Sequence, residues 1–380
     1  MIYGERVKQV REMQHLTQSA LAGMIPNLSQ YQVSRIESDA AVPDAETIAL
    51  IAATLGVTVD FFERQPSPHL EAQSPQLRAR SSRLTQGVKS SALQWARLVD
   101  EEYERLKLRA KPLPVRIHSM PGASPSKAAQ EIRPLLGFSP DQPLPYLLLA
   151  VERLGVAVLG IPYSAPALDA FCAWRDGTPI IGLLNGVPGD RLRWSVAHEL
   201  GHLVLHRGRS SGKQIEVEAD EFAAELLTPR SAIEQAMPSK ITLSTLTMLK
   251  TQWGVSVKSL IRRAKESGFI DQERAISLYK QVSARGWNRS EPGYVPREKP
   301  RAFRKLVEIS YGDGPNVEAM ARDAGWSQEL TLAIIEQYAN AEELPLEPTP
   351  NAITQDNVVA FRRPSRNRRP LSPRGSNQLA

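Results

Sequence analysis

Three of the six histidines in the chain lie in one short segment, at His198, His202 and His206. In a helix, His198 and His202 would lie on one face, one turn and about 6 Å apart along the axis. Two imidazoles at that spacing can converge on one tetrahedral metal ion, and zinc suits such donors. Glu199 directly follows the first histidine, so its carboxylate can reach a water at the metal as a general base. The segment therefore indicates a zinc hydrolase active site.

A site of this kind needs a third protein ligand, and the run 216–227 offers the best candidates. Glu216 and Asp220 share one helix face at i, i+4, so one carboxylate can bind the metal while the other accepts the N–H of a ligand histidine. We expect Glu216 to be the ligand and Asp220 to orient a histidine, with Glu218 as the alternative ligand. The apolar positions of the run have the spacing of a buried helical stripe: Ala219, Phe222, Ala223, Leu226 and Leu227.

His206 continues the series by another four residues. In a straight helix it would lie about 12 Å along the axis from His198, too far to share one metal. We expect it to support a ligand or to pack in the core. Apolar neighbours such as Trp194 and Leu200 indicate a buried helix, and burying histidines and a glutamate is costly unless something pairs them. The alternatives are a chance match and a zinc site without catalysis, and Glu199 argues against the second.

The elements that must position these residues belong to a region that we place at 127–290. Strands are predicted at 155–161, 171–174 and 180–184. Asp176-Gly177 between the second and third predicts a hairpin, because both turn positions tolerate positive φ. The motif helix is expected to begin near Asp190, a good N-cap after Pro188-Gly189. The fold class is therefore mainly α, α+β, with a small sheet and a His-Glu-x-x-His helix in this region.

Residues 1–64 have a compact helical pattern that predicts a five-helix bundle. Thr17 is a plausible N-cap of the second helix, and the third helix is expected to start near Ser29 after a turn at 25–27. Polar side chains then lie outward on the third helix or at its start: Ser29, Gln30, Tyr31, Gln32, Ser34 and Arg35. Amides can read adenine edges, a guanidinium can read guanine or bind phosphate, and Gln18 would reach a backbone phosphate. We therefore predict DNA binding; a bundle that only binds protein or dimerises is the alternative.

The other segments carry less information. Residues 65–126 are predicted to be a linker with one helix over 90–108, and residues 291–345 a helical C-terminal region. In that region, Gly325-Trp326-Ser327 would join either a second helix-turn-helix-like pair or, more often for such a pattern, a small bundle. Residues 346–380 are rich in proline and arginine, and no acid occurs in 361–380, so we expect a disordered tail.

The composition fits a cytoplasmic protein. A chain of 380 residues allows two or three domains, and a net charge of +6 mildly favours an anionic partner. No segment has the pattern of a signal peptide, and the apolar stretch 144–161 is broken by Glu152 and Arg153, so no membrane span is expected. The single cysteine, Cys172, excludes an internal disulfide, fits a reducing compartment and is expected to pack in a strand.

Residues 5–63 resemble an XRE/Cro-type helix-turn-helix domain, which implies operator DNA as a partner. The turn is one residue longer than usual and has Pro26-Asn27 where a glycine is expected. The matching pieces are Leu16-Thr17-Gln18, Leu21-Ala22, Val33-Ser34-Arg35-Ile36-Glu37, Pro43 and Leu55-Gly56-Val57.

Residues 128–287 resemble the ImmA/IrrE family of zinc metallopeptidases. The matching pieces are the run 191–202, the run 216–229 and Trp253-Gly254-Val255-Ser256. The resemblance implies Zn²⁺ held by His198, His202 and the glutamate placed at Glu216, with Glu199 as the base. It also implies a cytosolic protease that cuts a partner repressor in a mobile element or a stress response.

The expected function is a DNA-binding regulator that cleaves a transcriptional repressor, with double-stranded operator DNA and a protein substrate as partners. No membrane partner is expected, and a homodimer is left open. One alternative is a repressor or antitoxin-like protein whose zinc domain is a sensor or structural module without proteolysis. Another is an interaction protein in which both modules bind partners and neither reads DNA.

Overall fold

The computed structural model describes residues 1–67, 85–110, 113–165, 168–208 and 212–339. These residues form many helices and one three-stranded sheet, so the fold class predicted from the sequence is confirmed. None of the described helices is both long and apolar enough to cross a lipid bilayer. The predicted tail at 346–380 and most of the polar stretch at 65–83 lie outside the described residues.

The N-terminal bundle has the five predicted helices, and Thr17 and Ser29 cap the second and third of them. Asn27, in the turn between those helices, has a φ of 59°. Asparagine enters this left-handed region more readily than most residues, so the turn closes without a glycine. The helices are α1 (Gly4–Met13), α2 (Gln18–Met24), α3 (Gln30–Glu37), α4 (Ala45–Leu55) and α5 (Val59–Phe62).

The segment predicted as a linker contains a long helix, α6 (Gln86–Lys107), that is a core element. It packs against α1 on one side, and its residues Ala92, Ala96 and Leu98 are buried in the same hydrophobic cluster as the N-terminal bundle. The helix was predicted at 90–108 within this segment, and the structure adds that it packs as a core element. The helix contains many charged residues, so its sequence does not show a clear apolar stripe. Several of these charged residues form ion pairs within the protein.

The sheet lies between two hydrophobic cores. Its strands follow α7 (Pro125–Leu135) and α8 (Leu147–Arg153) and are β1 (Ala157–Ile161), β2 (Ala170–Arg175) and β3 (Thr178–Leu184). β3 is central, parallel to β1 and antiparallel to β2. Asp176 and Gly177 both have positive φ, so the predicted two-residue hairpin turn is confirmed.

Successive strand residues point to opposite faces, and both faces of this sheet are buried. Val158, Cys172 and Ile181 belong to the core that contains the motif helix. Leu159, Phe171 and Ile180 belong to the core that contains the N-terminal bundle and α6. Cys172 is thus a packing residue in a strand, as expected.

Six helices follow the sheet, and they contribute to the core on the face that carries Cys172 and Ile181. They are α9 (Gly189–Leu205), α10 (Lys213–Leu227), α11 (Arg230–Ala236), α12 (Leu243–Trp253), α13 (Val257–Glu266) and α14 (Gln272–Ala284). The motif helix α9 begins at Gly189 with Pro188 at the cap position, so the expectation that Asp190 is the N-cap is wrong. Asp190 lies in the first turn, where its carboxylate pairs with buried Lys250. Its negative charge also interacts favourably with the positive N-terminal end of the helix dipole.

Residues 288–301 contain no helix, so the predicted helical region at 291–345 begins later than expected. Glu291 of this segment pairs with Lys250, and Glu298 pairs with Arg193 of α9. Helices α15 (Ala302–Tyr311), α16 (Val317–Ala324) and α17 (Gln328–Ile335) come next. Segment 288–301 is extended because its acidic side chains bind other elements: Glu298 accepts from the Leu148 amide at the start of α8, and Glu291 accepts from the Val257 amide at the start of α13.

The α16–α17 pair docks on the N-terminal bundle. The Thr58 amide donates to the Gly325 carbonyl at 3.0 Å, and the Ser327 amide donates to the Gly56 carbonyl at 3.1 Å. Trp326 is buried in the same core as α4 and α5. The C-terminal helices are therefore part of a bundle shared with residues 1–64, and the two sequence-predicted regions do not form separate cores.

Glu152 of α8 accepts hydrogen bonds from the backbone at the start of α15, and its titration should make the stability of the fold depend on pH. Burial raises the pKa of Glu152 to about 7, although the Arg301 and Ala302 amides that donate to its carboxylate pull the pKa down. Because the pKa is higher in the folded than in the unfolded chain, Glu152 contributes stability at low pH that is lost as the pH rises through 7. Between pH 6 and pH 8.5 the loss should be about 1 kcal/mol.

E152Q keeps an acceptor oxygen but does not titrate. We therefore expect its free energy of unfolding to change between pH 6 and pH 8.5 by about 1 kcal/mol less than that of the wild type. Urea denaturation at pH 6 and 8.5 measures the difference. E131Q, at an exposed position of α7, is the matched control. Equal pH-dependence in E152Q and the wild type would contradict the assignment.

Candidate metal centre and nucleic-acid interface

The predicted site residues lie on two helices that pack closely, α9 and α10. Gly201 of α9 permits the approach, because a Cβ at this position would lie 3.0 Å from the Phe222 ring of α10. Phe222 is fully buried and belongs to the apolar stripe predicted for 216–227. The face of α10 next to this stripe is thereby brought to the histidines of α9.

The structure brings together His198, His202 and Glu216. The two Nε2 atoms lie 3.0 Å apart, and the Glu216 carboxylate oxygens lie 3.3 Å from the first and 3.4 Å from the second. One ligand atom from each residue lies within 4.8 Å of the others. Both imidazoles are buried, whereas Glu216 is 27% exposed, so the cluster opens toward solvent on the carboxylate side. Two nitrogens and one oxygen in this arrangement suit a zinc ion that keeps a fourth position.

Other residues hold the two imidazoles from outside the cluster. The Nδ1 atom of His198 lies 2.7 Å from the Asp220 carboxylate. The Nδ1 atom of His202 lies 2.9 Å from Nδ1 of His206, whose Nε2 lies 2.9 Å from Glu218. Glu218 therefore lies beside His206 and outside the three-residue cluster. Such contacts fix which nitrogen of a histidine faces a metal.

The charge of the cluster is set by competing effects on Glu216. Burial raises the pKa of its carboxyl, but hydrogen bonds from His198 and His202 outweigh burial and hold the pKa below its ordinary value. Glu216 is therefore ionised at neutral pH, as a metal ligand must be. Glu199 is buried on α9 directly after His198, in the position of the predicted general base.

The predicted DNA-contacting residues lie on α2 and α3. Gln30, Tyr31 and Arg35 are exposed, and the Arg35 guanidinium lies 5.9 Å from the centre of the Tyr31 ring. Ser34 is half-buried on the same helix. Gln30 donates to the side chain of Gln18 at 3.0 Å, so these two amides are positioned together.

Several predicted contact residues are also engaged within the protein: the Arg35 guanidinium donates to the Ala40 carbonyl at 2.8 Å, and Ser29 and Gln32 cap α3. The Gln32 amide donates to the Ser29 hydroxyl, and the Gln32 side-chain oxygen accepts from the Ser29 amide at 2.9 Å. This reciprocal capping box stabilises the start of α3. Both side chains remain exposed, but their polar groups are engaged in the cap.

Sequence reasoning missed the residues that hold Gln18. Its side chain donates to Glu37 at 2.8 Å, and Glu37 accepts two hydrogen bonds from the buried Arg11 guanidinium at 2.5 and 2.8 Å. The arrangement places a bidentate ion pair beneath the amides at the start of α2 and α3. The signal available in the sequence was the position of Arg11 and Glu37, which carry opposite charges on the otherwise apolar sides of α1 and α3.

The fold and these two sites define a protein that joins a helix-turn-helix bundle to a domain with a His-His-Glu cluster that could hold a metal ion. Comparison with known families agrees: a helix-turn-helix family model matches residues 7–62, and the Peptidase_M78 model, described as the IrrE N-terminal-like domain, matches residues 151–265. No curated protein matches the chain. The chain is thus a fusion of an XRE-type helix-turn-helix domain and an IrrE/ImmA-like domain, a DNA-binding regulator with a peptidase-family domain.

The geometry generates a test of the third ligand. We expect the wild type to retain about one zinc per chain after dialysis and E216A to lose most of it, because two imidazoles alone do not complete such a site. Atomic absorption on both proteins measures the stoichiometry. E221A, which removes an exposed carboxylate of the same helix, is the control and should retain zinc. Full zinc retention in E216A would rule out the assigned ligand.

Proposed function

We propose that this protein is a DNA-binding regulator with zinc-dependent endopeptidase activity that cleaves a partner transcriptional repressor. The observation that supports it best is the convergence of His198, His202 and Glu216 within 4.8 Å, in a chain that also has a helix-turn-helix domain. The donor set, the buried imidazoles and the hydrogen bonds to their outer nitrogens all fit zinc. Release of a repressor from DNA by cleavage would connect the two domains in one response.

Zinc, when bound, supplies a Lewis acid that polarises a peptide carbonyl and lowers the pKa of a water molecule toward neutrality. Glu199 acts as the proton acceptor for the attacking water and then returns the proton to the leaving amine. Glu199 is buried, which favours this role: bulk water is excluded, so its carboxylate exchanges protons with the reacting groups and not with solvent. His198, His202 and Glu216 hold the ion and leave the substrate side open.

The substrate is proposed to bind as an extended peptide beside β2. This strand lies at one edge of the sheet and packs against α9. The Trp174 indole donates to the Leu203 carbonyl at 3.3 Å, which fixes the strand relative to the motif helix. A peptide that adds to a sheet edge obtains main-chain hydrogen bonds that do not depend on its sequence.

A second candidate function is a DNA-binding repressor whose zinc domain acts as a sensor without proteolysis. One observation favours it: the N-terminal bundle shares a hydrophobic core with one face of the sheet, and the motif helix packs on the other face. A change at the metal centre would then reach the DNA-binding bundle through the sheet. The two candidates differ in whether a repressor is cut.

The role of Glu199 is tested by E199Q. We expect this variant to bind zinc like the wild type and to lose cleavage of the cognate repressor by at least about 100-fold, the range expected for a general base. Co-incubation with short repressors encoded near the gene, followed by mass spectrometry, detects the cut. Normal cleavage by E199Q would refute the role of Glu199. If the wild type binds zinc and cuts no candidate repressor, the sensor function is favoured.

DNA binding is tested with R35A and a fragment of the protein's own promoter region. An exposed arginine on a recognition helix contributes about 1–3 kcal/mol when it contacts a base, so we expect affinity to fall about 10-fold or more. Fluorescence anisotropy at low and high salt measures the affinity and its ionic part. R289A removes an exposed arginine elsewhere and controls for charge alone. Equal weakening by both variants would contradict a specific role for α3.

A further inference from the structure

The two proposed histidine ligands are held in different ways. His198 contacts a carboxylate directly, that of Asp220 at 2.7 Å. His202 instead contacts His206, and His206 contacts the Glu218 carboxylate, each at 2.9 Å. We propose that His206 and Glu218 are positioning residues that fix the ring orientation and tautomer of His202 for zinc. The proposal rests on the zinc site of the proposed function and adds to it the residues that set the site's affinity.

The metal-facing side of each ring determines the direction of every hydrogen bond in this chain of contacts. The Nε2 atom of His202 faces His198 and Glu216, so this nitrogen is the ligand atom and carries no proton when zinc is bound. The Nδ1 atom of His202 then carries the proton and donates to Nδ1 of His206. His206 must therefore hold its own proton on Nε2, where it donates to the Glu218 carboxylate. One carboxylate thus selects the tautomers of two rings.

The positions of the residues on the two helices explain why a carboxylate of α10 reaches His202 only through His206. Glu216 and Asp220 share one face of α10, whereas Glu218 lies about 160° away around the helix axis at 100° per residue. Glu218 does not share the face that meets His198 and His202. His206 follows the last residue of α9, at the C-cap position, where the chain leaves helical geometry. Its ring bridges from the end of α9 to the side of α10.

Simple packing does not account for His206. Its side chain is completely buried, and both ring nitrogens lie at hydrogen-bond distance from a partner. An apolar side chain would fill the same volume without the cost of burying two polar atoms. Because residues that orient metal-bound histidines commonly affect affinity by about 10–100-fold, the expected effect is on zinc binding.

The experiment compares H206F with H206Q in the full-length protein. Phenylalanine fills the space but neither accepts nor donates, whereas glutamine keeps one acceptor and one donor. We expect H206F to weaken zinc binding about 10–100-fold and H206Q to restore most of the loss. Competition with a chromogenic chelator measures the zinc dissociation constants, and thermal unfolding of each metal-free variant measures its stability. Q214A, which removes an exposed partner of Glu218 on the same helix, should bind zinc like the wild type.

The outcomes separate this proposal from the one on which it rests. If the wild type binds no zinc, the proposed function fails and the positioning role fails with it. If the wild type binds zinc and H206F binds it equally well, only the positioning role is overturned. If H206F and H206Q weaken zinc binding equally and both lower the metal-free unfolding temperature, His206 is structural and the proposal is likewise overturned. E218A should weaken zinc binding in the same direction as H206F, and an unchanged affinity would remove Glu218 from the role.

Discussion

The contact between α9 and α10 is the constraint on which the candidate metal centre depends. Gly201 and Phe222 allow the two helices to approach, and the buried stripe of α10 sets its rotation against α9. With that rotation set, the face that carries Glu216 and Asp220 meets the histidines. The candidate ligands come from the packed interface between two helices, so their spacing is determined by core packing rather than by loops.

The sheet gives the second constraint, because it is buried on both faces. Each strand alternates between the core of the metal centre and the core of the N-terminal bundle. A three-stranded sheet needs a covered hydrophobic face to be stable, and here both faces are covered. The same arrangement couples the two family domains: the XRE-type bundle packs on α6, and α6 and α15 pack on β1, so bundle and far face of the sheet share one core.

The sequence predicted the parts of this structure that depend on local spacing. The i, i+4 interval of His198 and His202, the caps Thr17 and Ser29 and the turn at Asp176-Gly177 each express short-range geometry, and the structure has all of them in these elements. The structure places Glu216 beside His198 and His202 and Glu218 beside His206, and the apolar stripe that sets the rotation of α10 was the signal for this in the sequence. The assignment of these residues to zinc and to catalysis stays a prediction.

What the sequence did not reveal depends on contacts between distant segments. The capping use of Gln32 competes with DNA contact, and the outward position of the residue alone does not distinguish the two. The extended segment 288–301 has helix-compatible residues but is held by ion pairs to Lys250 and Arg193, which lie far away in the chain. The sequence predicted α6 as a helix but not its place in the core, because its charges pair with partners that only the fold supplies.

Those charges explain how the N-terminal bundle is placed in one orientation. Arg6 of α1 pairs with Glu101 of α6 at 2.6 Å, and Arg175 at the end of β2 pairs with Asp100 of α6 at 2.8 Å. Burial raises the pKa of Asp100 to about 6 even with Arg175 beside it, so for this carboxylate desolvation outweighs the attraction of Arg175. Apolar packing joins the bundle to α6 and α6 to the sheet, but apolar contacts are not directional. An unpaired buried charge would be costly in any other register, so the ion pairs select the register in which each charge of α6 meets its partner.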